Sequence, residues 1–161
     1  CDDYPWPAHD PTRVRLPDRA VGVGAGEQHS IALLENGQLW AWGSRRKVCH
    51  PTQIPLPGRA IRFAAGSAHT LVLLEGGDLW AWGSNNKGQL GIGSVGSNEE
   101  HASPTRVPVQ GNVVAIAAGG LHSLALLASG ELWAWGSNER GQLGAGSHIE
   151  PLPLIVRFSG N

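Results

Sequence analysis

Three histidines, His29, His69 and His122, hold one position in three similar stretches of a 161-residue chain. Imidazole is a common metal ligand and a common acid or base, so three of them around a channel could hold a metal ion. A metal site needs further converging donors, and no carboxylate or thiol recurs beside these histidines. The plainer reading is a structural His that holds the turn between strands by a hydrogen bond. Recurrence then follows from repetition alone. Neither a metal nor a cofactor is expected.

Other candidate chemistry is thinner. Gly91-Ile92-Gly93-Ser94-Val95-Gly96 spells a dinucleotide fingerprint. That fingerprint works at a strand-to-helix junction, and here it follows a glycine-rich loop with no helix behind it. Cys1 and Cys49 are the only cysteines. They could form one disulfide in an oxidising compartment, but they lack the close spacing of a thiolate metal site. No Ser/His/Asp or Cys/His constellation can be placed with a geometry. Glu35, Glu75, Asp78 and Glu131 fall at hairpin turns, where solvated charge is ordinary. The chain is therefore expected not to be an enzyme.

The elements that position these residues are strands. Each unit holds a short apolar run, a Gly-bounded turn, a His-led apolar run, a second turn and the string Leu-Trp-Ala-Trp-Gly-Ser. The strings occupy 39–44, 79–84 and 132–137, and the histidines lie 40 and then 53 residues apart. A recurring unit of this size reads as a propeller or a solenoid. The runs are too short for helices, and Asn36-Gly37, Gly76-Gly77 and Ser129-Gly130 suit tight hairpins. A fourth strand is expected near the Pro-Thr pairs at 11–12, 51–52 and 104–105, where Pro fits a strand start or an outer edge. Side chains alternate along a strand, so Trp40 and Trp42 share one face and Leu39 and Ala41 the other. A sheet apolar on both faces must be covered on both, as stacked blades are.

The fold expected is thus all-β, an arc of three β-propeller blades. The organisation is an N-terminal segment 1–11, repeat 12–51, repeat 52–104 with a polar insertion at 94–103, repeat 105–157, and 158–161 as the start of a further repeat. Three blades leave apolar faces open, so the arc is expected either to be part of a larger propeller or to be completed by self-association.

Composition bounds the partners. Net charge is −1, which gives no bulk reason to expect nucleic acid. No apolar run approaches the roughly 20 residues of a membrane helix. The chain contains no Met, and it is expected to be a fragment or a processed product. Cys1 leaves three readings open: an arbitrary chain boundary, a proteolytic cut, or the lipidated first residue of a mature bacterial lipoprotein. The last would place the chain at the cell surface or outside the cell.

The combined pattern of Gly-x-x-His-(Ser/Thr), an apolar strand, Leu-Trp-Ala-Trp-Gly-Ser-Asn and Gly-Gln-Leu-Gly resembles the regulator of chromosome condensation repeat family. The tail motif stands at 85–91 and 138–144 and is deleted from the first repeat, which runs from Ser44 through Arg45-Arg46-Lys47 to Pro51. The resemblance implies a ring of about seven blades. It also implies two functional expectations, a protein-binding scaffold and a nucleotide exchange factor for a small GTPase, and the open blade edges add a third, a structural module that assembles by pairing with other chains. Exchange in the family uses an acidic residue just before the repeat His. Here Gln28, Ala68 and Leu121 hold that place, and Glu27 is one step earlier. The pairs Glu27-Gln28, Ser67-Ala68 and Gly120-Leu121 are expected to form a rim facing a protein partner, with the basic loop Arg45, Arg46 and Lys47 as a further candidate.

Overall fold

The repeat builds one blade each time. In the computed structural model, residues 10–43, 48–96, 100–144 and 149–156 are described. The first sheet contains β1 (Ala20–Ala25), β2 (Ser30–Leu34), β3 (Leu39–Gly43) and β4 (Val48–Ile54). The second contains β5 (Ala60–Ala65), β6 (His69–Leu74), β7 (Leu79–Ser84) and β8 (Glu100–Arg106). The third contains β9 (Val113–Ala118), β10 (His122–Leu127), β11 (Leu132–Ser137) and β12 (Ile149–Val156). Strands follow one another across each sheet in chain order, and all pairs are antiparallel. The all-β, three-bladed expectation holds.

The two-faced string explains the stacking. Leu39 and Ala41 of blade 1 join Ile31 and Leu33 in one core with Val72, Leu74 and Trp82 of blade 2. Leu79, Ala81, Leu71 and Leu73 of blade 2 join Ala125, Leu127 and Trp135 of blade 3 in the next. Each blade thus presents a leucine face forward and a tryptophan face backward. The middle blade is covered on both, and every residue of β6 is buried. The end blades show what is missing. Leu73 is 1% exposed, and Leu126 at the same position in blade 3 is 37% exposed. At the other end Trp40 and Trp42 are half-buried, so that end is less bare than a naked tryptophan face.

The outer strands settle the role of proline. Pro51-Thr52 and Pro104-Thr105 lie inside β4 and β8, each the outer edge of its sheet, where a missing donor is harmless. The sequence repeats and the blades are therefore offset. No strand forms around Pro11-Thr12. The polar insertion at 94–103 is only partly loop, because β8 begins at Glu100. Deletion of the Gly-Gln-Leu-Gly loop leaves blade 1 four-stranded, with Gly43 paired to Val48. Cys49 in β4 is disulfide-bonded. Cys1, the other cysteine of the sequence, lies outside the described residues, as does the 158–161 segment.

The Gly of the string has a backbone reason. Gly83 has a φ of 105°, a left-handed conformation, at a register shift before the outer strand. A Cβ there would stand 2.4 Å from the Ala68 carbonyl oxygen.

Candidate functional site

The Gly-x-x-His turn joins the inner strand of each blade to the next. Its ends are tied by Gly66 N–H to the His69 carbonyl at 2.8 Å, and the same bond recurs at Gly26 and Gly119. The imidazole folds back under the turn. A Cβ on Gly66 would meet the His69 ring at 2.2 Å, so only Gly admits the ring there.

The histidine does more than hold its own turn. His69 Nε2 lies 2.9 Å from Ser123 Oγ of the next blade, and His29 Nε2 lies 3.2 Å from Thr70 Oγ1. The His-Ser/Thr dipeptide therefore has one half in each of two seams. This departs from the within-turn hydrogen bond expected from sequence.

Between blades 2 and 3 the bond belongs to a buried network. Ser123 Oγ–H donates to the Gln89 carbonyl at 2.8 Å, and Trp135 Nε1–H donates to the same oxygen at 2.9 Å. Both lone pairs of that oxygen are then used. Because the single Ser123 proton points at Gln89, His69 must donate from Nε2, which fixes its tautomer. His69 Nδ1 is left a bare acceptor with no partner. Burial, with repulsion from His122 and His29 behind it, lowers the His69 pKa from 6.5 to about 4. Burial lowers His122 as well. His69 is thus a neutral hydrogen-bonding part of this seam.

Gln89 is held in this place by hydrogen bonds within its own loop. Leu90 N–H donates to Asn85 Oδ1 at 3.1 Å, and Lys87 N–H donates to Gln89 Oε1 at 2.8 Å. Leu143 with Asn138 and Arg140 with Gln142 repeat both bonds in blade 3. Sequence reading saw the Gly-Gln-Leu-Gly motif and missed that its main-chain carbonyl serves the next blade. The recurrence of Ser or Thr after each His was the available signal.

The expected rim is in part assembled. Glu27, Ser67 and Gly120 line one shallow hollow of about 310 Å³ with the flanking Gly26, Gly66 and Gly119. Glu27 N–H donates to the Ser67 carbonyl at 2.9 Å, which joins the first two turns directly. Gln28 and Leu121 are exposed beside the hollow. Ala68 is 6% exposed and faces the interior, so it presents no surface to a partner. The physical reason is that blades 1 and 3 cover the second turn on both sides. Arg45, Arg46 and Lys47 lie outside the described residues.

Chemistry at this rim is sparse. Glu27 is the single charged residue of the hollow. Among the described residues no three His, Cys, Asp or Glu side chains gather as a metal site. The hairpin carboxylates sit at the surface, with Glu35 paired to Arg19 at 3.2 Å and Asp78 to Arg106 at 2.7 Å. No helix among the described residues is long and apolar enough to cross a membrane.

The regulator of chromosome condensation (RCC1) repeat matches residues 76–126 and 129–161, and a second form of it matches 20–45, 60–89 and 113–142. The ultraviolet-B receptor UVR8 of Arabidopsis thaliana is 31% identical over 151 residues, covering 84% of this chain and 34% of the receptor. The human regulator of chromosome condensation is 28% identical over 134 residues, 83% of this chain and 22% of that protein. The probable E3 ubiquitin-protein ligase HERC6 of Homo sapiens is 30% identical over 144 residues, 86% of this chain and 10% of the ligase. The chain thus spans about a third or less of the length of these relatives. Among solved structures, yeast RCC1 (Prp20) bound to Kap60 superposes with a TM-score of 0.77 at 24% identity, covering 87% of this chain and 37% of the other. Human WBSCR16 does so at 0.77 and 23%, covering 92% and 40%. These two likenesses concern the fold.

Proposed function

This chain belongs to the regulator of chromosome condensation repeat family, and from that premise we propose that it is a non-enzymatic scaffold that binds another protein along its turn rim. The observation that supports this reading is the rim itself. Three turns from three blades are drawn side by side, and they hold exposed side chains at Gln28 and Leu121 around a hollow with no converging catalytic groups. Loops positioned by a rigid scaffold are the usual place for recognition. The yeast relative is described as bound to Kap60, so a protein partner has a precedent in the family.

Exchange on a small GTPase is the alternative that family membership raises. The residues before the repeat His argue against it, since none of the three is acidic and one is buried.

Two measurements test the reading. Quantitative affinity capture should give a partner whose retention falls at least about tenfold with Gln28→Arg plus Leu121→Asp. Retention unchanged by both substitutions would remove the rim from the interface. Nucleotide release from a Ran-type GTPase should be unaffected by the chain. Clear acceleration would make the exchange reading the correct one.

A further inference from the structure

The inner strand of each blade carries the same irregularity. Val21, Ile61 and Val114 have no partner in the register with the second strand, so each is the extra residue of a β-bulge. A bulge takes a side chain out of the two-faced alternation and re-aims it. All three residues are β-branched and apolar, and they are 53%, 42% and 40% exposed. Blade 2 has a neighbour packed on each face, and Ile61 is exposed all the same. Its exposure is a property of the inner edge of the blade and not of an unstacked face. That edge is open along its backbone as well. β1, β5 and β9 each end the strand order of their sheet. Among the described residues, the main chain of 61–65 makes no hydrogen bond beyond β6. Such an edge is a template for an added strand.

One charge stands in this setting. Val21, Ile61, Phe63 and Ile116 line a hollow of about 490 Å³, and Arg62 is the single charged residue on it. Gly22 and Ala115 hold the place of Arg62 in the other two blades, so the cation is no part of the repeated packing. Arg62 is exposed, and no described carboxylate pairs with it. The surface beside it is fixed. A Cβ on Gly24 would stand 2.5 Å from the Phe63 ring, so the ring of blade 2 lies directly on the glycine strand of blade 1.

We infer that this hollow is a second protein-docking site, one that takes an extended peptide segment with apolar side chains around a single Asp or Glu. The carboxylate pairs with the Arg62 guanidinium, whose charge nothing else in the hollow meets. The apolar side chains pack on Ile61, Val21 and the Phe63 ring. The N–H and C=O groups of the segment meet the open edge of β5. That last match selects a peptide over a free carboxylic acid with a hydrocarbon tail, which would bury the edge groups without a hydrogen bond. Neither Gln28 nor Leu121 lines the hollow, so the site stands or falls independently of the rim reading.

The test titrates the 161-residue chain against labelled synthetic peptides of about seven residues, alternating Val and Thr, with Asp, Asn or Lys at the centre. Fluorescence anisotropy is followed to about 1 mM, which covers weak binding. The Asp peptide should bind at least about tenfold more tightly than the Asn and Lys peptides. Arg62→Ala should bring the Asp peptide down to the Asn peptide. Arg62→Glu should reverse the order and make the Lys peptide the best of the three. Ile61→Asp should weaken the Asp peptide by about tenfold or more. Both positions are exposed, and circular dichroism checks that the variants fold. The absence of binding at 1 mM would overturn the inference, and so would an order that Arg62→Glu leaves unchanged. Dodecanoate, offered as competitor, should not displace the Asp peptide; displacement at equal concentration would make the hollow a site for free acids instead. Gln28→Arg plus Leu121→Asp should leave peptide binding intact, and Arg62→Glu should leave capture at the rim intact. Loss of peptide binding in the rim variant would place the peptide on the rim and refute a second site.

Discussion

Acidification should loosen the seam between blades 2 and 3 through one residue, His69. Its folded pKa is about 4, against 6.5 for the free side chain. The unfolded chain takes up the proton first, so the folded state loses stability as pH falls from 6.5 toward 4. Above 6.5 both states hold the neutral ring and the contribution is constant. The loss from this group is roughly 2 kcal/mol at pH 5 and roughly 3 kcal/mol at pH 4. Geometry gives the cause. Nε2–H is committed to Ser123, so a second proton must go on Nδ1, which is buried with nothing to receive it. Urea unfolding followed by far-ultraviolet circular dichroism at pH 7, 6 and 5 would measure it, on the wild type and on His69→Gln. The variant keeps a donor but cannot titrate. At pH 7 it should be the less stable. The gap should narrow by roughly 2 kcal/mol between pH 7 and pH 5, because every other titrating group is common to both. A gap constant within about 0.5 kcal/mol would refute the assigned tautomer and burial.

The tryptophans supply a graded test. Trp82→Ala and Trp135→Ala should each cost about 3–5 kcal/mol, since both rings are buried between blades, whereas half-buried Trp42→Ala should cost clearly less in the same urea titration. Gly83→Ala should destabilise by more than about 1 kcal/mol through its positive φ and the close Ala68 carbonyl. Gly76→Ala, with nothing within 4 Å of a new Cβ, should fall within about 0.5 kcal/mol of wild type by thermal melting. Ser123→Ala should cost about 1–3 kcal/mol in urea unfolding, because it leaves the buried His69 donor unmet.

The blade was legible because its signals are local. Alternation in Leu-Trp-Ala-Trp fixes which side chains share a face, and a Gly at a hairpin fixes where the chain reverses, as at Gly37 with a φ of 82°. The seams were harder to read because they join atoms far apart in sequence. Ser123 and the Gln89 carbonyl are 34 residues apart, and the acceptor is a main-chain atom that leaves no mark in composition. Ala68 was misplaced for a related reason. Its position in a turn suggests exposure, and only the stacking of neighbours on both sides buries it. Gln28 and Leu121, where a covering neighbour ends, stay exposed. Strand limits at Pro51 and Pro104 escaped because proline on an outer edge interrupts no ladder.

The hydrogen bonds between His29 and Thr70 and between His69 and Ser123 give both seams one shared joint. Every blade offers an imidazole forward and a hydroxyl residue backward, so this one bond can join any blade to any other, while the Gln89-type carbonyl is offered only by blades that keep the Gly-Gln-Leu-Gly loop. Stability in such a system is close to a sum of unit and neighbour terms. A recombination between two of the Leu-Trp-Ala-Trp-Gly-Ser strings would therefore add or remove one whole blade and keep the His-to-hydroxyl bond at each junction. In this architecture the number of blades can change in a single genetic step, while the rules joining one blade to the next stay fixed.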